Sequence, residues 1–90
     1  MTGSSGTFRY EVRSSCPVDV TYTSDGMNTE QVSKVQDGWL ATATDPTVAQ
    51  VIAQLSCTGG AVTANIYQNG NLVKTATSSG DYTIAHAVYP

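Results

Sequence analysis

The chain has 90 residues, 40% hydrophobic and only 12% charged, with seven acidic against four basic residues and a net charge of −3. That length fits one domain with a single modest core, and no apolar run reaches the roughly 18 residues that a bilayer-spanning helix requires. Arg9, Arg13, Lys34 and Lys74 are scattered along the chain, which argues against recognition of nucleic acid through its phosphates.

Residues 1–6 lack both the charged and the apolar segment of a signal peptide and read as a flexible N-terminal segment ahead of a single domain over residues 7–90. Two explanations fit: an export or anchor segment has been removed ahead of them, or the natural protein starts at Met1. The first strand covers Thr7 to Arg13, with Phe8, Tyr10 and Val12 on its inner face. Val18, Val20 and Tyr22 then alternate with Asp19 and Thr21, the period of two that turns one face of a strand to a core and the other to water. Pro17 precedes this run, where its missing N–H is harmless. Ser24-Asp25-Gly26 signals a turn, and a third strand is expected near Thr29 to Val35. After the Asp37-Gly38 turn, Trp39 opens a strand that continues to Thr44.

Asp45 to Cys57 reads two ways. Asp45 can cap a helix with Pro46 as its first residue, and Val48, Val51, Ile52 and Leu55 fall at helical spacing before Gly59 and Gly60. Read as a strand, Val51, Ala53, Leu55 and Cys57 share a face. Local signals lean to the helix; the β pattern of the rest of the chain favours the strand, which is the assignment adopted. Val62, Ala64 and Ile66 alternate next, and Asn69-Gly70 is the strongest hairpin signal, because both residues tolerate the positive φ of a type I′ turn. Ser79-Gly80-Asp81 leads to a last strand, Tyr82 to Tyr89, in which Tyr82, Ile84, His86 and Val88 alternate with smaller residues and His86 takes a half-buried position. The expected fold is all-β: a two-layer antiparallel β-sandwich of about seven strands with immunoglobulin-like architecture. The second cysteine follows Trp39 too closely for a true immunoglobulin domain, and no Tyr-x-Cys corner precedes it.

Cys16 and Cys57 are the only cysteines. A pair in a small β-domain suggests one disulfide and an oxidising compartment; the alternative is two buried free thiols. If the strand of Val18–Tyr22 pairs antiparallel with that of Gln50–Cys57, the two cysteines lie side by side. Metal binding is disfavoured, because His86 is the only histidine and no carboxylate adjoins either cysteine, and no cofactor motif is present.

Several segments together resemble the soluble domain of the MmpS family, small mycobacterial membrane proteins that accompany MmpL lipid exporters. They are Tyr10-Glu11-Val12, Asp19-Val20-Thr21-Tyr22, Gln31 and Val35 before Trp39, Thr42-Ala43-Thr44-Asp45-Pro46, Ile66 before the Asn69-Gly70 turn, and Tyr82-Thr83. The resemblance spans most of Phe8 to Val88 and implies a strand after Asp-Pro. It departs where the family has Leu-Pro before the tryptophan and this chain has Asp37-Gly38, and where the family's cysteines match Ala64 and Ala85. The membrane-spanning helix that the family carries ahead of this domain is missing from these residues.

The resemblance implies a non-catalytic extracytoplasmic domain, in the periplasm or at the cell surface, that docks onto a membrane exporter and assists a lipid or siderophore-like cargo. This segment itself would not insert into the membrane. Trp39 and Tyr89 are the candidate interaction residues, against core packing for Trp39 and an ordinary surface tyrosine for Tyr89. The alternative is a structural module, a phage virion decoration protein or a surface adhesion domain, with virion proteins as partners. Catalysis is disfavoured, because His86 is the only suitable base and the acids fall mostly beside turns.

Overall fold

The computed structural model describes residues 7–25, 28–44 and 48–89. It is all-β: β1 (Thr7–Ser14), β2 (Val18–Thr23), β3 (Thr29–Val35), β4 (Trp39–Thr44), β5 (Ala49–Leu55), β6 (Gly60–Gln68), β7 (Asn71–Gly80) and β8 (Ile84–Tyr89). Among the described residues eight strands therefore form where about seven were expected. Sheet A has the order β4-β1-β6-β7 and sheet B the order β3-β2-β5-β8, every pairing being antiparallel. The two sheets pack face to face, the sandwich architecture that immunoglobulin-like domains share.

Alternation fixes which face of each strand turns inward. Phe8, Tyr10 and Val12 of β1, Val18 and Val20 of β2, Val51, Ala53 and Leu55 of β5, and Val62, Ala64 and Ile66 of β6 are all buried. The segment that could have been helical is therefore a strand. β5 lies between β2 and β8 at the centre of sheet B, where tertiary pairing overrides a weak helical spacing. Asp45 and Pro46, the helix-capping pair, lie outside the described residues, as do residues 1–6 and Gly26 of the expected turn.

β8 departs from expectation in two ways. It begins at Ile84, because Tyr82 has a φ of 50° and belongs to the turn. Its inward residues are Ala85 and Ala87, while Ile84 and His86 are exposed and Val88 is half-buried. The histidine is thus on the outer face. Small inward residues have a geometric cause: Ala64 and Ala76 approach from sheet A, and Cα atoms of β8 come within 8 Å of those of β6 and β7. Packed sheets more often lie about 10 Å apart, so the sandwich is thin on this flank and small inward side chains suit it.

Turns hold the strands in register. Asn69 (φ 51°) and Gly70 (φ 86°) both adopt the left-handed region that joins β6 to β7. At the β3–β4 turn, the Asp37 carboxylate accepts the Ser14 N–H (2.8 Å) and the Arg13 Nε–H (3.0 Å), which ties the turn to the end of β1. These two donors, the backbone N–H first, hold its carboxyl below the ordinary aspartate range. β3 bulges against β2 between Val18 and Val20, and Lys34 sits there with a φ of 55°, its N–H donated to Asp19 Oδ1 at 3.0 Å.

Candidate functional site

β2 pairs with β5 through Val18↔Leu55 and Tyr22↔Val51. That register carries Cys16 and Cys57 to the same end of sheet B, where they form a disulfide with a Cα–Cα separation of 6.5 Å. Hydrogen bonds surround it. Ser56 Oγ donates to the Pro17 carbonyl (2.7 Å), the Ala61 N–H to Ser15 Oγ (3.0 Å), and the Tyr82 N–H to the Cys57 carbonyl (2.9 Å). Gly60 passes close behind, and a Cβ there would collide with Ser15 Oγ and crowd Leu55 and Cys57.

The two aromatic candidates are not brought together. Trp39 is half-buried at the start of edge strand β4, its ring 5.1 Å from that of Tyr22, which in turn lies 5.6 Å from the ring of Tyr10. The three form a tilted stack that links β4 and β1 of sheet A to β2 of sheet B. Tyr10 is fully buried and donates its hydroxyl to the Thr23 carbonyl at 2.7 Å, and burial pushes its pKa up. Tyr89, also half-buried, packs against Phe8 with ring centroids 6.3 Å apart.

The outer face of sheet A carries an array that alternation alone does not single out. Residues directly opposite in a sheet share a face, so register places Thr42, Arg9, Tyr67 and Leu72 in one row and Leu40, Glu11, Asn65 and Thr75 in the next. The polar members interlock. The Arg9 guanidinium lies 4.7 Å from the Tyr67 ring centroid, and Glu11 Oε1 accepts from both the Tyr67 hydroxyl and Asn65 Nδ2 at 3.1 Å. Thr75 Oγ1 donates to Asn65 Oδ1 at 2.6 Å. Partial desolvation, and then the Glu11 carboxylate, raise the Tyr67 pKa. Leu40 and Leu72 flank this array, 55% and 53% exposed.

The outer face of sheet B is plainer. Ile52 of β5 lies opposite His86 of β8, with Ile84 and Val88 on either side of the histidine along the same strand. Among the described residues no group of three or more metal-ligating side chains forms, and no cavity opens. Anything this domain recognises among those residues therefore meets an open sheet surface or an edge. Neither a scan against models of known protein families nor a search of curated proteins finds a match to this chain.

The residues missed from sequence are thus Arg9, Glu11, Leu40, Asn65, Tyr67 and Leu72. They lie on four strands spread over most of the chain, and only the pairing register brings them side by side. Leu40, between Trp39 and Ala41, and Leu72 beside Val73 carried the one available signal: a large apolar residue out of phase with its strand's inward face.

Proposed function

We propose that this chain is a non-catalytic extracytoplasmic binding domain that docks onto a membrane exporter and assists a lipid or siderophore-like cargo, the role its resemblance to the MmpS family implies. The observation that carries the binding reading is the outer face of sheet A, where exposed Leu40 and Leu72 bracket the interlocked Arg9, Tyr67, Glu11 and Asn65. Side chains already fixed by one another lose little further freedom on contact, and the two leucines supply apolar area for a partner to cover. An oxidising address is supported by the Cys16–Cys57 bridge. A non-catalytic role is supported by the setting of the sole histidine, which stands between Ile84 and Val88 and opposite Ile52.

The resemblance itself gains support from two places. The segment after Asp-Pro is a strand, and Ala64 and Ala85 both point inward, from β6 and β8, whose Cα atoms approach within 8 Å. The departure at Asp37-Gly38 is a self-contained turn held by Arg13 and Ser14.

The test is a photo-reactive residue at Thr42, in the row of Arg9 and Tyr67, carried by the full-length protein in its native host. The expected adduct is a polytopic membrane transporter. An adduct with a virion or adhesion protein would replace the exporter reading with the structural-module one. Adducts from Gln54, on the outer face of sheet B, but none from Thr42 would overturn the choice of face.

A further inference from the structure

We infer that β8 is a self-pairing edge, and that two copies of this chain join antiparallel through it, about a two-fold axis at His86, into one continuous eight-stranded sheet. The inference is independent of the exporter reading, because it uses sheet B and an edge rather than the outer face of sheet A.

Hydrogen-bond parity is the starting point. The Leu55 N–H donates to the Thr83 carbonyl at 2.9 Å, and the register continues through Ala53↔Ala85 and Val51↔Ala87. Hydrogen-bonded pairs alternate along an antiparallel ladder. Thr83, Ala85 and Ala87 therefore spend their N–H and C=O groups on β5, and Ile84, His86 and Val88 turn theirs to the open side of the sheet. Among the described residues β8 pairs with no other strand.

The strand is also its own complement. Ile84-Ala85-His86-Ala87-Val88 reads alike in both directions, with an aliphatic residue at each end, alanines next, and histidine at the centre. Centred on His86, antiparallel self-pairing sets Ile84 against Val88 of the second copy, His86 against His86, and Val88 against Ile84. In that register every outward N–H and C=O of the three residues finds a partner, and a shift by two residues leaves some of them unpaired. The same register extends the outer aliphatic stripe of exposed Ile84 and half-buried Val88 across the junction and places alanine against alanine on the inner face.

Two of the other edges, β3 and β7, are guarded in the ways natural sheets use against such pairing. β3 carries Glu30, Lys34 and a bulge; β7 carries Lys74 and an extra residue, Val73, where its register against β6 shifts. On β4, the Thr44 N–H is held by the Asp25 carboxylate at 2.7 Å. β8 shares with β4 the lack of a charged residue, a proline or a register shift, but no carboxylate holds its outward N–H groups among the described residues, and its sequence is the one that reads alike in both directions.

The experiment is sedimentation of the full 90-residue chain over a range from micromolar to millimolar, with amide exchange read by NMR. A reversible dimer is expected, twice the 9.4 kDa monomer mass, in which the amides of Ile84, His86 and Val88 become protected as concentration rises. His86→Lys sets two like charges face to face at the axis and is expected to raise the dimer dissociation constant by about tenfold or more. Thr42→Lys, on the other sheet, is expected to leave it unchanged. His86→Pro separates backbone from charge, since it removes one outward N–H from an edge strand that tolerates proline, and it should also give a monomer. A chain that stays monomeric with those three amides unprotected overturns the inference and leaves the edge to a foreign strand. A dimer indifferent to both His86 variants overturns it too, because it must form through another surface.

Discussion

Tyr10 shows how one side chain serves both layers. Its ring is buried beneath that of Tyr22, while its hydroxyl reaches across to the Thr23 carbonyl of the opposite sheet. Tyr10→Phe keeps the packing but leaves a buried carbonyl without its donor, at an expected cost of roughly 1–2 kcal/mol in urea-induced unfolding. The group also links stability to alkaline pH. Burial raises its pKa in the folded state, so the neutral hydroxyl is favoured more by the native than by the unfolded chain. The resulting stability is complete below the ordinary tyrosine pKa of about 10 and is lost as pH rises from there through the higher folded value. Unfolding followed across that range should show a steeper alkaline decline for the native chain than for Tyr10→Phe; identical slopes would mean that another tyrosine carries the linkage.

Among the elements, β8 separates pattern from packing most clearly. Its period of two was legible in the sequence, but period alone does not say which of two interleaved sets turns inward. Size suggested Ile84, His86 and Val88; the close approach of β6 and β7 selects Ala85 and Ala87 instead. That choice depends on the partner sheet, which no window of β8 contains. Ala87→Leu is accordingly expected to overpack the thin flank and cost about 1–3 kcal/mol, whereas Ile84→Ser, on the outer face, should change stability by no more than about 0.5 kcal/mol. Thermal or chemical denaturation of the pair checks this, and the reverse ranking would refute the assignment of faces. β1, β2 and β6 were read correctly because their large residues coincide with their inward sets. The outer face of sheet A was invisible for a different reason. Arg9 and Tyr67 are 58 residues apart in the chain, and only the β1–β6 register makes them neighbours.

For the molecule as a whole, the covalent bridge matters as much as the interior. Cys16 and Cys57 are separated by 41 residues, a loop whose closure entropy corresponds to roughly 4 kcal/mol, against a total of about 5–15 kcal/mol for typical domains. Replacing both cysteines by serine is expected to remove most of that contribution, seen as a lower denaturant midpoint with the sheets still formed. A midpoint that does not move would mean that the surrounding hydrogen bonds of Ser15, Ser56 and Tyr82 suffice without the bridge. The bridge sits at one pole, and the contact of Phe8 with Tyr89 lies at the other, where the Asn69 N–H also donates to the Thr7 carbonyl. The first and last described residues thus leave the domain in company. Any tether ahead of Thr7 and any extension beyond Tyr89 would emerge on the same side, leaving the cystine end pointing away from whatever holds the molecule. A short linker between Thr7 and Tyr89 would turn the same contact into a seam, so the chain could be reopened at the Asn69-Gly70 turn without parting the sheets.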